Sequence, residues 1–269
     1  MTAVRPAAVA GLFYPAAREA LVSEVHKRLD EAPQPQAGLA PPKALIVPHA
    51  GYVYSGSVAA SAYRRLAAAG PLERVVLLGP AHRAYVRGLA LPGSTAFATP
   101  LGAVAVDTEA AMSVLSMPQV CRNDAAHALE HSLEVQLPFL QEVLGEFRIV
   151  PLAVGSASAE EVAQVIERLY GGRETLIVVS SDLSHYLPYA QARRIDEASS
   201  REVLALHPSL EPEQACGAPA VNGLLLVAQR RGLRPELLDL RNSGDTAGDR
   251  SRVVGYAAFA FTGDADVRH

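Results

Sequence analysis

Seven short runs rich in Val, Ile, Leu and Ala recur along the chain, at residues 44–47, 75–78, 102–106, 149–154, 175–179, 237–240 and 253–261. Between many of them lie segments whose apolar residues return at helical spacing. Residues 17–31 place Leu21, Val25 and Leu29 on one face, and 57–69 place Val58, Ala62 and Leu66. The same period marks 160–170 (Val162, Val165, Ile166, Leu169), 219–231 (Val221, Leu224, Leu225, Ala228) and 131–144 (Leu133, Leu137, Leu140, Leu144). In the last of these, Pro138 must kink the helix or mark its true start. Strands that alternate with helices predict an α/β fold, with a mostly parallel central sheet flanked by helices on both faces. No break in composition divides the 269 residues, so a single domain over 1–269 is expected, with an ordered core of about 6–262.

Several function classes fall away on charge and hydropathy. Lys and Arg (24) nearly balance Asp and Glu (28), and no block of like charge stands out, which argues against nucleic acid as a partner. No apolar run approaches the ~18–20 residues that span a bilayer. Pro6 and Pro15 interrupt the apolar N-terminal stretch, which reads as mature protein rather than a signal peptide. Cys121 and Cys216 are the only cysteines and make no disulfide framework, so a cytoplasmic location is expected. The stretch EAPQPQAGLAPPK reads as an extended surface connection.

The polar residues that follow the strands carry the chemistry. LIVPHAGYVYSG sets His49 just past one apolar run, and VVLLGPAHR sets His82 past the next. TLIVVSSDLSH places Asp182 and His185 past a third, and LLDLRNSGD places Asp245 past a fourth. Open α/β sheets bind ligands outside the carboxyl ends of their strands. One pocket with a convergent imidazole–carboxylate set is therefore expected, suited to a divalent transition metal or to acid–base work. Taken singly, each has a plainer role: a histidine bonded to backbone, or an aspartate capping the next turn. Gly51 to Gly56 has phosphate-loop spacing, but Ser57–Val58 stands where Lys–Ser/Thr is required. Residues 127–131 read H-A-L-E-H, an inverted zinc-peptidase signature with Glu130 as base, which leaves a zinc-dependent hydrolase as a minor alternative. Ser55 has no nucleophile-elbow context, and Cys216 reads as a buried structural cysteine.

Taken in order, VPHAGYVYSG, LLGPAHR, EHSLEVQLPFL, VVSSDLSHY, CGAPAVNGLLL, and NSGD followed by VVGYAAFAF resemble the Memo-like proteins over nearly the whole chain. The resemblance implies a fold similar to the class III extradiol dioxygenases, which are non-haem iron enzymes. It implies that His49 and His82 bind metal, that Asp182 and His185 are the catalytic pair with His185 as acid–base group, and that Glu130 and His131 belong to a further family motif. Tyr52, Ser55, Glu130, His131 and Cys216 are expected to line the pocket. Animal members contribute a cysteine near the C-terminus as third ligand; this chain has none after Cys216, so Asp245 is the expected third ligand. The expected cofactor is a divalent ion, iron(II) first, with zinc or copper as alternatives. The expected function is a dioxygenase-like oxidoreductase acting on a small molecule, and the alternative is a ligand- or peptide-binding protein with a vestigial metal pocket. A radical-SAM protein and an AMMECR1-type protein are the pathway partners that the resemblance implies.

Overall fold

The computed structural model describes residues 3–36 and 38–263. Twelve strands lie among them: β1 (Val4–Arg5), β2 (Ala44–Val47), β3 (Arg74–Pro80), β4 (Leu89–Leu91), β5 (Ala96–Thr99), β6 (Gly102–Val106), β7 (Val120–Arg122), β8 (Arg148–Val154), β9 (Thr175–Ser180), β10 (His185–Leu187), β11 (Arg234–Asn242) and β12 (Val253–Thr262). The helices are α1 (Arg18–Glu31), α2 (Tyr52–Tyr63), α3 (Thr108–Leu115), α4 (Ala125–Ala128), α5 (Leu137–Leu144), α6 (Ala159–Leu169), α7 (Tyr189–Leu204), α8 (Ala218–Arg231) and α9 (Ser243–Thr246).

Strands β6, β8, β3, β9 and β2 pair in that order, all parallel, and form the middle of one sheet. Their residues are apolar without alternation, and β2, β9 and nearly all of β3 and β8 are buried, as expected of strands covered on both faces. Antiparallel strands extend the sheet at both sides, β5 on β6 and β12 on β2, with β11 antiparallel to β12. The chain leaves β2 through α2 to reach β3, and leaves β8 through α6 to reach β9. Within the order β8-β3-β9-β2 these two crossovers run in opposite directions. Right-handed connections therefore place α2 and α6 on opposite faces. The fold is a single α/β domain with helices on both faces, as the sequence pattern predicts.

Two helices differ from their predicted bounds for identifiable reasons. Pro138 sits in the first turn of α5, where its missing N–H costs nothing, so it starts this helix instead of kinking a longer one. Helix α2 begins at Tyr52, directly after the His49 loop, and tightens to a 3-10 turn over Arg64–Ala68. No helix among the described residues is long and apolar enough to cross a membrane.

Candidate metal centre

The three central neighbours β2, β3 and β9 end at Val47, Pro80 and Ser180, and His49, His82 and Asp182 follow within two residues of each end. Register thus brings three loops to one rim of the sheet. Asp182 ties two of them together: its Oδ1 accepts the backbone N–H of His49 at 2.7 Å, and the Ala50 N–H bonds the same carboxylate.

A third histidine reaches this rim from a different direction. His131 lies in the irregular segment between α4 and α5, which crosses over the end of β3. Ser132 Oγ donates to Pro80 O at 2.9 Å, and a Cβ on Gly79 would stand 2.8 Å from that hydroxyl oxygen, so only glycine lets the segment approach so closely. The N-terminal segment clamps it from outside. Arg5 is buried and donates to His127 O, Glu130 O and the Glu134 carboxylate, each at 2.6 Å, while Tyr14 donates to Glu134 Oε1. The Phe13 ring packs on His131, with centroids 4.7 Å apart.

One ligand atom from each of His49, His82 and His131 falls within 4.8 Å of the others, the only such group of histidine, cysteine or carboxylate side chains among the described residues. The His82 and His131 rings stack 4.7 Å apart, and His49 stands edge-on to both, at 5.3 and 5.4 Å. Hydrogen bonds fix which nitrogens face the centre. Ser180 Oγ gives its proton to Ser132 O at 2.6 Å and accepts from Gln136 Nε2, so toward His49 Nδ1, at 2.9 Å, it acts as acceptor. His49 therefore carries its proton on Nδ1 and a lone pair on Nε2. His82 Nδ1 lies 2.9 Å from Glu130 Oε1, which again leaves Nε2 as the ligand atom.

Glu130 organises the whole cluster from beneath, almost fully buried. Its Oε2 accepts the His82 N–H at 2.6 Å, and its Oε1 accepts the Ser132 N–H at 2.9 Å and lies 3.3 Å from His131 Nδ1. Burial works to raise its pKa, but the His82 ring and the backbone donors outweigh it and hold the carboxyl at about 2. The imidazoles move the other way. Burial, with His131 and His82 adding to it, pushes His49 well below the ordinary histidine value, and burial takes His131 down to about 4. Both are neutral at pH 7 and offer lone pairs. His131 Nδ1 is buried and makes no hydrogen bond, with the Glu130 carboxylate 3.3 Å away as its nearest charge. Three imidazoles, with an ionised carboxylate behind them, fit a divalent transition metal.

Asp245, the expected third ligand, is placed elsewhere. Strand β11 runs in the same direction as β2, but β12 lies between them, and Asp239 rather than Asn242 is level with Val47. The end of β11 therefore lies two strand spacings, roughly 9–10 Å, to the side of β2 and also runs past its end. The Asp245 carboxylate caps its own short helix by accepting the Asn242 N–H at 3.1 Å, and it accepts the Tyr189 hydroxyl at 2.6 Å. The side chain that completes the cluster with His49 and His82 is His131. The H-A-L-E-H peptidase pattern also dissolves. His127 turns away to bond Ala90 O at 2.8 Å, and Glu130 is too acidic and too fully bonded to serve as a base.

The remaining expected residues divide into two groups. Asp182 is buried, and burial lifts its pKa to about 7 against the pull of its two backbone donors. His185, on β10 beside the site, is partly exposed, and burial lowers its pKa, with His82 adding to the shift. Cys216 lies with Sγ 3.3 Å from His49 Nε2. Tyr52 and Ser55 are spent on structure: the Tyr52 hydroxyl donates to Val135 O, and Ser55 Oγ donates to Ala50 O.

An open, largely parallel α/β sheet with a three-histidine cluster at its strand ends defines a protein built around a metal-type centre. The sequence model of the Memo-like protein family matches residues 5–260, and this chain belongs to that family. It is 38% identical to a MEMO1 family protein of Ignicoccus hospitalis, covering 96% of this chain and 98% of the relative. It is also 38% identical to one of Aquifex aeolicus, covering 96% and 99%. An uncharacterised protein of Escherichia coli K12, JW3007, shares the fold in its crystal structure, with a TM-score of 0.51 at 13% identity over 80% of this chain and 98% of that one.

Proposed function

We propose that this chain is a metal-dependent oxidoreductase that acts on a small organic molecule with oxygen, its ion held by His49, His82 and His131. The observation that carries the reading is the convergence of three imidazoles, two with their tautomers already set for coordination, on a rim that also bears protonatable groups. A divalent ion bound there supplies a Lewis-acid centre with open positions for substrate and oxygen. Iron(II) is the proposed ion; zinc and copper(II) suit the same nitrogen donors and are the alternatives to be separated by analysis.

The chain's own residues handle positioning and protons. His185 is neutral at pH 7 and partly open to solvent, so its free lone pair takes a proton from a substrate hydroxyl and returns it later. Asp182 holds the His49 loop in place through two N–H donors. Glu130 keeps His82 in the tautomer that offers Nε2 and keeps His131 beside it.

Anaerobic purification with metal analysis, followed by oxygen uptake on a panel of small aromatic and aliphatic alcohols, tests the reading. Stoichiometric iron with substrate-dependent oxygen consumption, lost in His185→Ala while iron stays bound, is the expected result. Zinc with no oxygen consumption on any substrate would remove the oxidative reading.

A further inference from the structure

The Cys216 thiol belongs to no motif that the proposed chemistry uses, yet it touches the most buried of the three histidines. Its Sγ lies 3.3 Å from His49 Nε2, the nitrogen left with the lone pair once Ser180 has claimed Nδ1. The other acceptors within reach are farther, Asp182 O at 3.7 Å and Ser181 Oγ at 4.0 Å. The backbone around the sulfur is fixed. Cys216 N donates to Asp182 O at 3.3 Å, and Gly217 N donates to Ser181 Oγ at 3.0 Å. A Cβ on Gly217 would meet Ser181 Cβ at 2.8 Å and Ser180 O at 2.9 Å, so glycine is what lets the start of α8 press onto the β9 loop. The contact between thiol and imidazole is thus built into the packing of α8.

We infer that Cys216 guards the metal-binding nitrogen of His49: its S–H donates to Nε2 in the metal-free chain, and an incoming ion must break that hydrogen bond. The inference rests on the metal centre proposed above. A ligand role for the sulfur does not fit the geometry. Two atoms bound to one ion at ~2.0–2.3 Å stand no more than ~4.5 Å apart. Cys216 falls outside the group whose ligand atoms all lie within 4.8 Å of one another, so it meets His49 but not the other two histidines. A donor that meets only one ligand, on its coordinating lone pair, competes with the ion. When the ion takes Nε2, the thiol loses that acceptor, and the other acceptors near it, Asp182 O and Ser181 Oγ, lie farther away. The exchange is reversible and needs no redox partner.

Competition has a sign opposite to ligation. Cys216→Ala and Cys216→Val both remove the donor, and they bracket the cysteine in volume, Ala smaller and Val larger. Titrating metal-free wild type and both variants with zinc and with cobalt(II) in a calorimeter reads the effect directly. Both variants should bind about 2- to 10-fold more tightly, the span set by the net worth of one hydrogen bond. Weaker binding in a variant whose thermal melt matches wild type would make the sulfur a ligand and overturn the inference; unchanged affinity would overturn it equally. The cobalt(II)-loaded wild-type protein supplies a readout that needs no variant. No thiolate-to-cobalt charge-transfer band is expected in the near ultraviolet, and its presence would overturn the inference. If wild type and variants alike bind neither ion, the metal centre fails and the guard fails with it.

Discussion

Glu130 is where the local electrostatics can be tested most sharply, through Glu130→Gln. The carboxylate accepts three hydrogen bonds, from His82 N, His82 Nδ1 and Ser132 N, and lies against His131. An amide of the same shape has one acceptor oxygen, and its NH2 must face at least one of those donors. With the side chain only 1% exposed, water cannot relieve the clash. Leaving a buried donor unpaired costs about 1–3 kcal/mol. The shift of the carboxyl from 4.5 to about 2 gives a second route to the magnitude, roughly 3 kcal/mol at neutral pH as an upper figure. A loss of about 2–3 kcal/mol, or about 4–10 °C in Tm, is therefore expected for the metal-free variant at pH 7.5. Because the folded-state pKa is depressed, the stabilisation is present above pH 4.5 and is lost as pH falls toward 2. The gap between wild type and variant in urea unfolding should close across that window. Metal affinity should drop about 10- to 100-fold, as for other carboxylates behind a ligating histidine. A variant within 1 °C of wild type, or a gap that does not narrow below about pH 4.5, would refute this account of the cluster.

Asp182→Asn tests the opposite sign. Burial raises the Asp182 pKa from 3.8 to about 7, so the folded chain binds the extra proton between those values and loses stability as pH rises through them, by roughly 4 kcal/mol at most. The asparagine variant should show a flatter profile from pH 4 to 7 in urea titrations; an unchanged slope would place the charge elsewhere. Asp245→Ala should leave metal stoichiometry intact and cost about 1 kcal/mol, the worth of a helix cap, as read by metal analysis and thermal melting. His131→Ala should abolish tight metal binding and, because the ring packs on Phe13 and His82, lower the melting temperature modestly as well. Retained stoichiometric metal in that variant would return the third position to another residue.

The parallel core was legible because strands buried on both faces read as unbroken apolar runs, and β2 has the bounds that its run predicts. His49, His82 and Asp182 could be found for the same reason, since each follows such a run and parallel strands deliver their loops to one rim. His131 carries no such signal. It reaches the site through tertiary contacts, the Gly79 close approach and the Arg5–Glu134 clamp, which no local period reveals. The Glu130–His131 pair was visible as a motif, but its role depends on where Ser132 bonds. Asp245 misled because strand direction alone does not give strand order: β12 intervenes between β11 and β2. Helix α7 escaped the apolar-period reading because its buried face is Ala192, Asp196, Ser199, Ser200 and Val203, small and mostly polar. The contact of Cys216 with His49 joins residues 167 positions apart and depends on the packing of α8 against the β9 loop.

X-ray absorption at the metal edge of the loaded protein tests the central claim most directly. The account predicts one ion per chain with three imidazole nitrogens at about 2.0–2.2 Å, light-atom solvent in the remaining positions and no sulfur in the first shell. Loss of the three-imidazole signature in His131→Ala should accompany it. A sulfur at about 2.3 Å, two imidazoles with a carboxylate, or no bound ion at all would contradict it.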